Sequence, residues 1–146
     1  MDYLIKKISA LETYTVRHPV LREGKPIESC LFDGDTLNTT FHLGLFDEGN
    51  LVGVCSFLKS KHALLKEESQ YQLRGMAILK EKQHLGLGKL ILSHGENLLK
   101  QQNTQIIWCN AREKAVGFYK KTGYQIIGLP FDIKNIGQHF IMYKAL

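Results

Sequence analysis

The chain has 146 residues, 44% of them hydrophobic and 23% charged, with a formal net charge of +5. This suits one domain with one sizeable core and excludes a disordered or repetitive chain. No apolar run approaches the roughly 20 residues of a membrane helix, and MDYLIKKISA at the start lacks the apolar centre of a signal peptide, so the expectation is one cytoplasmic domain over 1–146 with no membrane partner.

Residues 3–8, YLIKKI, predict a short strand. Ser9 and Glu12 then have capping-box spacing, in which each side chain satisfies a free backbone amide at a helix start. A helix is expected from about Ala10, disturbed near Pro19 because proline cannot continue the hydrogen bonds. Gly24, Pro26 and DGD at 33–35 mark an irregular stretch, long enough to suspect a functional loop. Thr40 to Phe46 and Leu51 to Leu58 are β-rich and flank DEGN, which predicts a hairpin. Tyr71 to Leu79 predicts another strand.

From about Leu85, positions 87, 90, 91, 94 and 98 follow a helical period if His94 faces inward, and Gly95 weakens that helix. QIIWC at 105–109 predicts a buried strand, 113–121 a helix closed by Gly123, and 124–128 and 139–143 the last two strands. The order is β-α-β-β-β-α-β-α-β-β. Strand 71–79, helix 85–101 and strand 105–109 form a right-handed parallel crossover. Hairpins at both ends make the sheet mixed, so the fold class is α/β with antiparallel flanks.

Cys30, Cys55 and Cys109 are far apart in sequence, with no CxxC and no metal spacing among the Cys and six His residues. Free thiols and no metal are the expectation. The modest positive excess would suit nucleic acid or any other polyanion, but no aromatic-rich RNA-binding segment or zinc finger is visible. A nucleic-acid partner is therefore not expected.

QHLGLGKL at 83–90 is the most suggestive stretch, because bare backbone at a helix start binds anions. It is not a Walker A loop, since Gly88-Lys89 is followed by Leu90 and the position five before Gly88 is Gln83. It is not a dinucleotide fingerprint either, since Ile91 stands where the third glycine belongs. What remains is Q-x-x-G-x-G between a strand and a helix. Amides of residues 84–89 can converge on a diphosphate there, side chains at 86 and 88 would block its approach, and Lys89 adds charge.

This pattern resembles the pyrophosphate loop of the GNAT superfamily of N-acetyltransferases. LRGMAIL before the loop resembles the superfamily's fourth strand, and NAREKAVGFYKKTGY its fifth-strand exit and following helix. VLREGKPIESCLFDGD followed by a hairpin looks like the ElaA-like branch. The likeness covers nearly the whole chain. His84 departs from it, standing where the superfamily commonly has Gly, and so does the long gap from Asn110 to Tyr119.

The resemblance implies a mixed, mostly antiparallel sheet with a central parallel, splayed strand pair flanked by helices. It implies acetyl-CoA as co-substrate and direct transfer to a primary amine of a small molecule or peptide, or else a non-catalytic CoA-binding sensor of the same fold. Backbone at Met76, Ala77 and Ile78 would pair with pantetheine. Gln83, His84, Leu85, Gly86, Leu87, Gly88 and Lys89 would hold the diphosphate, with Asn110 and Phe118 beside the cofactor, although Phe118 also suits the core. Tyr119 would protonate the leaving thiolate. His139 is the first candidate for the amine's proton and His42 the second, and water is a third route. Arg74, in an otherwise apolar strand, needs either a substrate carboxylate or an internal Asp or Glu. Glu28, Asp33 and Asp35 suit either a cationic acceptor or simple turn chemistry. A homodimer is compatible with all of this.

Overall fold

The computed structural model describes residues 2–146. Its elements are β1 (Tyr3–Ile8), α1 (Tyr14–Leu21), β2 (Phe41–Asp47), β3 (Asn50–Lys59), β4 (Gln70–Ile78), α2 (Leu87–Gln101), β5 (Ile106–Arg112), α3 (Val116–Lys121), β6 (Gln125–Ile133) and β7 (Gly137–Ala145). The order is the one the sequence predicts. The strands form a mixed, mostly antiparallel sheet of order β1-β2-β3-β4-β5-β7-β6, with β4 and β5 parallel. The chain divides into two compact units, the stretch up to Leu58 with Leu73–Leu98, and Lys59–Gln72 with Leu99–Leu146.

In the first unit β1 and β3 each pair antiparallel with β2. Val16, Val54 and Ala77 form a buried cluster, with Ile8, Val20, Leu21, Leu51 and Leu79 packed on it. The capping box forms as expected, the Ser9 amide donating to Glu12 Oε1 (2.8 Å) and the Glu12 amide to Ser9 Oγ (3.1 Å). Accepting that amide holds the Glu12 carboxyl below its usual range. The box heads a 3-10 turn, Leu11–Thr13, and α1 itself begins only at Tyr14. Pro19 lies inside α1, which ends two residues later. The irregular stretch that follows contains one 3-10 turn, Ile27–Cys30.

Helix α2 starts at Leu87 rather than Leu85, and its phase differs from the predicted one. The buried line is Leu87, Ile91, Leu92, Gly95, Glu96 and Leu99, while Leu90 is exposed and His94 and Leu98 are half-buried. The period was readable, but its phase is set by what the helix packs on. Gly95 shows this most clearly. A Cβ there would lie 2.2 Å from Cζ of Phe57, a fully buried ring that also stacks on Phe41. Glycine thus sacrifices helix propensity so that the ring can touch the helix backbone. Gly95→Ala should destabilise the fold by about 2 kcal/mol, because overpacking outweighs the propensity gain. In urea unfolding, Phe57→Leu in the same chain should recover part of that loss. Additive effects of the two changes would rule the contact out.

In the second unit β5 pairs antiparallel with β7, and β7 with β6. Leu65, Ile106 and Trp108 form its buried cluster, with Ile127 and Tyr143 against it. Trp108 Nε1 donates to the Ser60 carbonyl at 2.8 Å. The last two strands run longer than predicted. Gly128 (φ +76°) and Pro130 resemble the end of a strand, but the sheet absorbs them as an irregularity between Ile127 and Phe131. Strand β5 also continues past Cys109 to Arg112, so Asn110 lies within it. The parallel register of β4 with β5 consists of Gln70↔Ile106, Tyr71↔Ile107 and Gln72↔Trp108.

Candidate functional site

Two residues of the 83–89 loop, His84 (φ +65°) and Gly86 (φ +81°), adopt left-handed backbone. Alternation of this kind turns successive amides toward one side. The Gly86 carbonyl accepts the Leu90 amide (3.2 Å), so Gly86 caps α2, and the amides of Leu87, Gly88 and Lys89 lie ahead of the helix ladder. No amide from His84 to Lys89 has a hydrogen-bond partner among the described residues. A Cβ built on Gly86 meets nothing within 4 Å, so protein packing does not require the glycine. The backbone angle requires it, and an incoming ligand would use the space. His84 adopts its angle despite its side chain, at a cost of about 1–2 kcal/mol.

Gln83, the first residue of the pattern, donates from Nε2 to the Ile78 carbonyl (2.8 Å) and ties the loop to the end of β4. Lys82, just before it, pairs with the nearly buried Asp47 carboxylate (2.8 Å), which holds the lysine pKa above its ordinary value. The loop is thereby anchored on both β2 and β4. Along β4, Ala77 is buried and Met76 and Ile78 are half-buried.

The same unit holds a buried polar network of which the sequence showed only parts. Arg17 of α1 is fully buried and pairs with Asp35 (NH1 to Oδ2 2.5 Å, NH2 to Oδ1 3.1 Å). It also donates to the Cys30 carbonyl and to Ser56 Oγ. Ser56 Oγ lies 2.6 Å from His42 Nδ1, and His42 Nε2 lies 2.9 Å from the Asp35 carbonyl. A carbonyl only accepts, so Nε2 carries a hydrogen and, in the neutral ring, Nδ1 accepts the Ser56 hydroxyl.

Both nitrogens of His42 are therefore committed, which removes His42 as the second candidate base. Asp35 is likewise consumed internally and does not grip a cationic acceptor. Glu28 and Asp33 are exposed. Arg74 meets no internal Asp or Glu carboxylate among the described residues, since NH1 donates to the Asp33 carbonyl (3.0 Å) and the guanidinium lies 5.3 Å from the Phe32 ring centre. Sequence reasoning passed over Arg17. Thr13, Val16, Arg17 and Val20 share a helical face, and a charge on that stripe demands a buried partner, which DGD supplies.

In the second unit Asn110 is exposed between buried Cys109 and Ala111, and its side chain has no hydrogen-bond partner among the described residues. Tyr119 of α3 is buried, 7% exposed, and Phe118 half-buried, so the tyrosine is the deeper of the two. The Tyr119 ring meets Phe118 edge-on at 5.2 Å and Tyr124 at 5.4 Å. His139 pairs with Arg112 at the C-terminal end of β5, the end from which the chain leads into α3. Its Nδ1 donates to the Gly137 carbonyl at 2.9 Å. In the neutral ring Nε2 then keeps its lone pair, and it has no partner among the described residues. All three cysteines are free and buried. Burial pushes the Cys109 thiol up to about 12. Among the described residues no group of three His, Cys, Asp or Glu is placed to hold a metal ion, and no helix is long and apolar enough to cross a membrane.

A run of unpartnered amides thus heads α2, in a mixed sheet with one parallel strand pair. The model of the acetyltransferase (GNAT) family matches residues 8–124. YitI of Bacillus subtilis (strain 168), an uncharacterised N-acetyltransferase, is 42% identical over 142 residues, covering 97% of this chain and 95% of that protein. The crystal structure of Escherichia coli ElaA superposes with a TM-score of 0.77 at 14% identity, covering 98% of this chain and 99% of that one. The PaiA N-acetyltransferase of Thermoplasma acidophilum, solved in complex with coenzyme A, superposes with a TM-score of 0.68 at 21% identity over the whole of both chains. The chain belongs to the GNAT family of acetyltransferases.

Proposed function

We propose that this chain is a cytosolic, acetyl-CoA-dependent N-acetyltransferase that moves the acetyl group directly to a primary amine in a ternary complex. The observation that carries the reading is the unpartnered run of amides from His84 to Lys89, opening on empty space at Gly86. That is what a diphosphate needs. Lys89 adds an exposed charge beside it. Backbone groups of Met76, Ala77 and Ile78 would pair with the pantetheine amides as a short added strand. Asn110 and Phe118 would contact the cofactor from β5 and α3.

Acetyl-CoA supplies an activated thioester. Tyr119 donates the proton that the departing thiolate needs, since a phenol, with pKa near ~10, is protonated at pH 7. Nε2 of His139 takes the proton the amine sheds on attack, a role its lone pair allows. Both residues belong to the second unit, His139 on β7 beside Arg112 at the end of β5 and Tyr119 on the helix that follows β5.

The decisive experiment measures acetyl-CoA binding by calorimetry and its consumption against polyamines, amino acids, aminoglycosides and peptide N-termini. Binding without consumption would leave the non-catalytic sensor, and no binding would remove both readings.

A cysteine route makes a separate prediction. Cys109 is 3% exposed and its thiol is held far above neutral pH, so the thiolate required of a covalent nucleophile is not formed. Cys109→Ala should keep most activity. A stable acetyl adduct on Cys109, seen by intact-protein mass spectrometry, would overturn direct transfer.

A further inference from the structure

Resting on the acetyl-transfer reading and deepening it, we propose that the acceptor amine carries a carboxylate group and that Arg74 receives it. Strand β4 is buried from Gln70 to Leu73 and becomes half-buried at Arg74, Gly75 and Met76. It opens where its arginine stands. The Arg74 guanidinium has one hydrogen bond, to the Asp33 carbonyl, and no carboxylate within ion-pair distance among the described residues. A guanidinium has five N–H donors, so most of its capacity is unused.

The contrast with its neighbour is informative. Guanidiniums of Arg17, Arg22 and Arg74 gather on the Phe32 ring at 4.0, 4.7 and 5.3 Å. Arg17 takes up the buried Asp35 carboxylate. Asp33, whose carbonyl holds Arg74, is exposed and makes no ion pair with it. The buried acid beside this ring is therefore already spent on Arg17. Gly75 (φ +61°) keeps the strand clear of this cluster, since a Cβ there would lie 3.2 Å from both Arg17 Nε and Phe32 Cε2. That Nε is buried and has no hydrogen-bond partner among the described residues, although the Arg17 charge itself is met by Asp35.

The direction of the cofactor gives the cluster a role. A diphosphate at 84–89 and pantetheine along Ile78 to Met76 bring the thioester toward Gly75 and Arg74, about 13 Å back along the strand at ~3.3 Å per residue. A group bound by Arg74 thus belongs to the acceptor. One planar guanidinium matches one carboxylate edge to edge.

The test uses β-alanine, leucine and lysine, each paired with its carboxamide, with acetyl-CoA saturating. The acids should be preferred in kcat/KM by about 10- to 100-fold, the range of a charge-assisted hydrogen-bonded pair. In Arg74→Gln the acid-to-amide ratio should fall toward one. Arg74→Lys, which keeps charge and stem but not the fork, should keep part of it. Calorimetry of the same acids and amides on the protein without acetyl-CoA gives a readout independent of turnover, and the same ratio should appear in Kd. Equal use of acid and amide by the unaltered protein, or an Arg74→Gln loss that falls equally on both, would overturn the inference. So would a preference for phosphate-bearing amines. Turnover of the amides alone would remove the role of Arg74 and leave acetyl transfer standing. No turnover of any amine would remove acetyl transfer, and the calorimetric ratio would still decide Arg74.

Discussion

Acetyl-CoA affinity should fall by at least about 100-fold in Gly86→Asp, roughly the loss of one or two charge-assisted hydrogen bonds. The fold should survive, because a Cβ at Gly86 meets nothing within 4 Å. The loss has two sources, bulk and negative charge where the diphosphate sits, and left-handed backbone imposed on a side chain at φ +81°. Gly86→Asn separates them, since asparagine has the same shape and tolerates the same backbone without the charge. Calorimetry should find Asn weaker than Gly and Asp weaker still.

Gly88→Asp gives the sharper contrast. Gly88 lies in the first turn of α2, where an acidic side chain favours the helix dipole. Thermal stability should therefore hold or rise while affinity falls. An Asp at either glycine that leaves affinity unchanged in folded protein would remove the diphosphate loop. Neutralising Lys89 should cost much less, because that charge is exposed and screened.

The sequence was most legible where function and local geometry coincide. Gly86 stands where the loop adopts left-handed backbone, and Gln83 ties that loop to the end of β4. The order of strands and helices was also legible, because alternating and helical periods do not depend on partners. The phase of α2 was not. Leu90 and Leu98 fit the period as well as Ile91 and Leu99 do, and only the Phe57 ring against Gly95 decides which face turns inward.

The region joining α1, the loop after it and β2 was the least legible part. DGD looks like a turn and His42 like a strand histidine, and Arg17 was passed over. Their meaning lies in long-range bonds among Arg17, Asp35, Ser56 and His42, which no local pattern encodes. This network replaces two of the sequence-based roles, the His42 base and the Asp35 grip, with one structural role. Arg74, on the same Phe32 ring, has no carboxylate partner among the described residues.

Tyr119→Phe should lower kcat about 100-fold, within the usual range for loss of a general acid. The substitution deletes one oxygen and keeps the ring, so the edge contacts with Phe118 and Tyr124 persist. Acetyl-CoA KM should change little, because the proton is required in the transition state and not in the ground state. The activity need not vanish, since water can protonate a thiolate. Burial of Tyr119 supports the role by fixing the phenol in one place, and it also supplies the competing account, in which the ring only fills the space between α3 and Tyr124. The two accounts differ in one measurable respect. A packing role predicts a lower melting temperature for Tyr119→Ala and full kcat for Tyr119→Phe, whereas an acid role predicts the kcat loss in Tyr119→Phe at unchanged melting temperature. Full turnover with Phe at 119 would return this side chain to the core, and the thiolate would have to leave without a proton from α3.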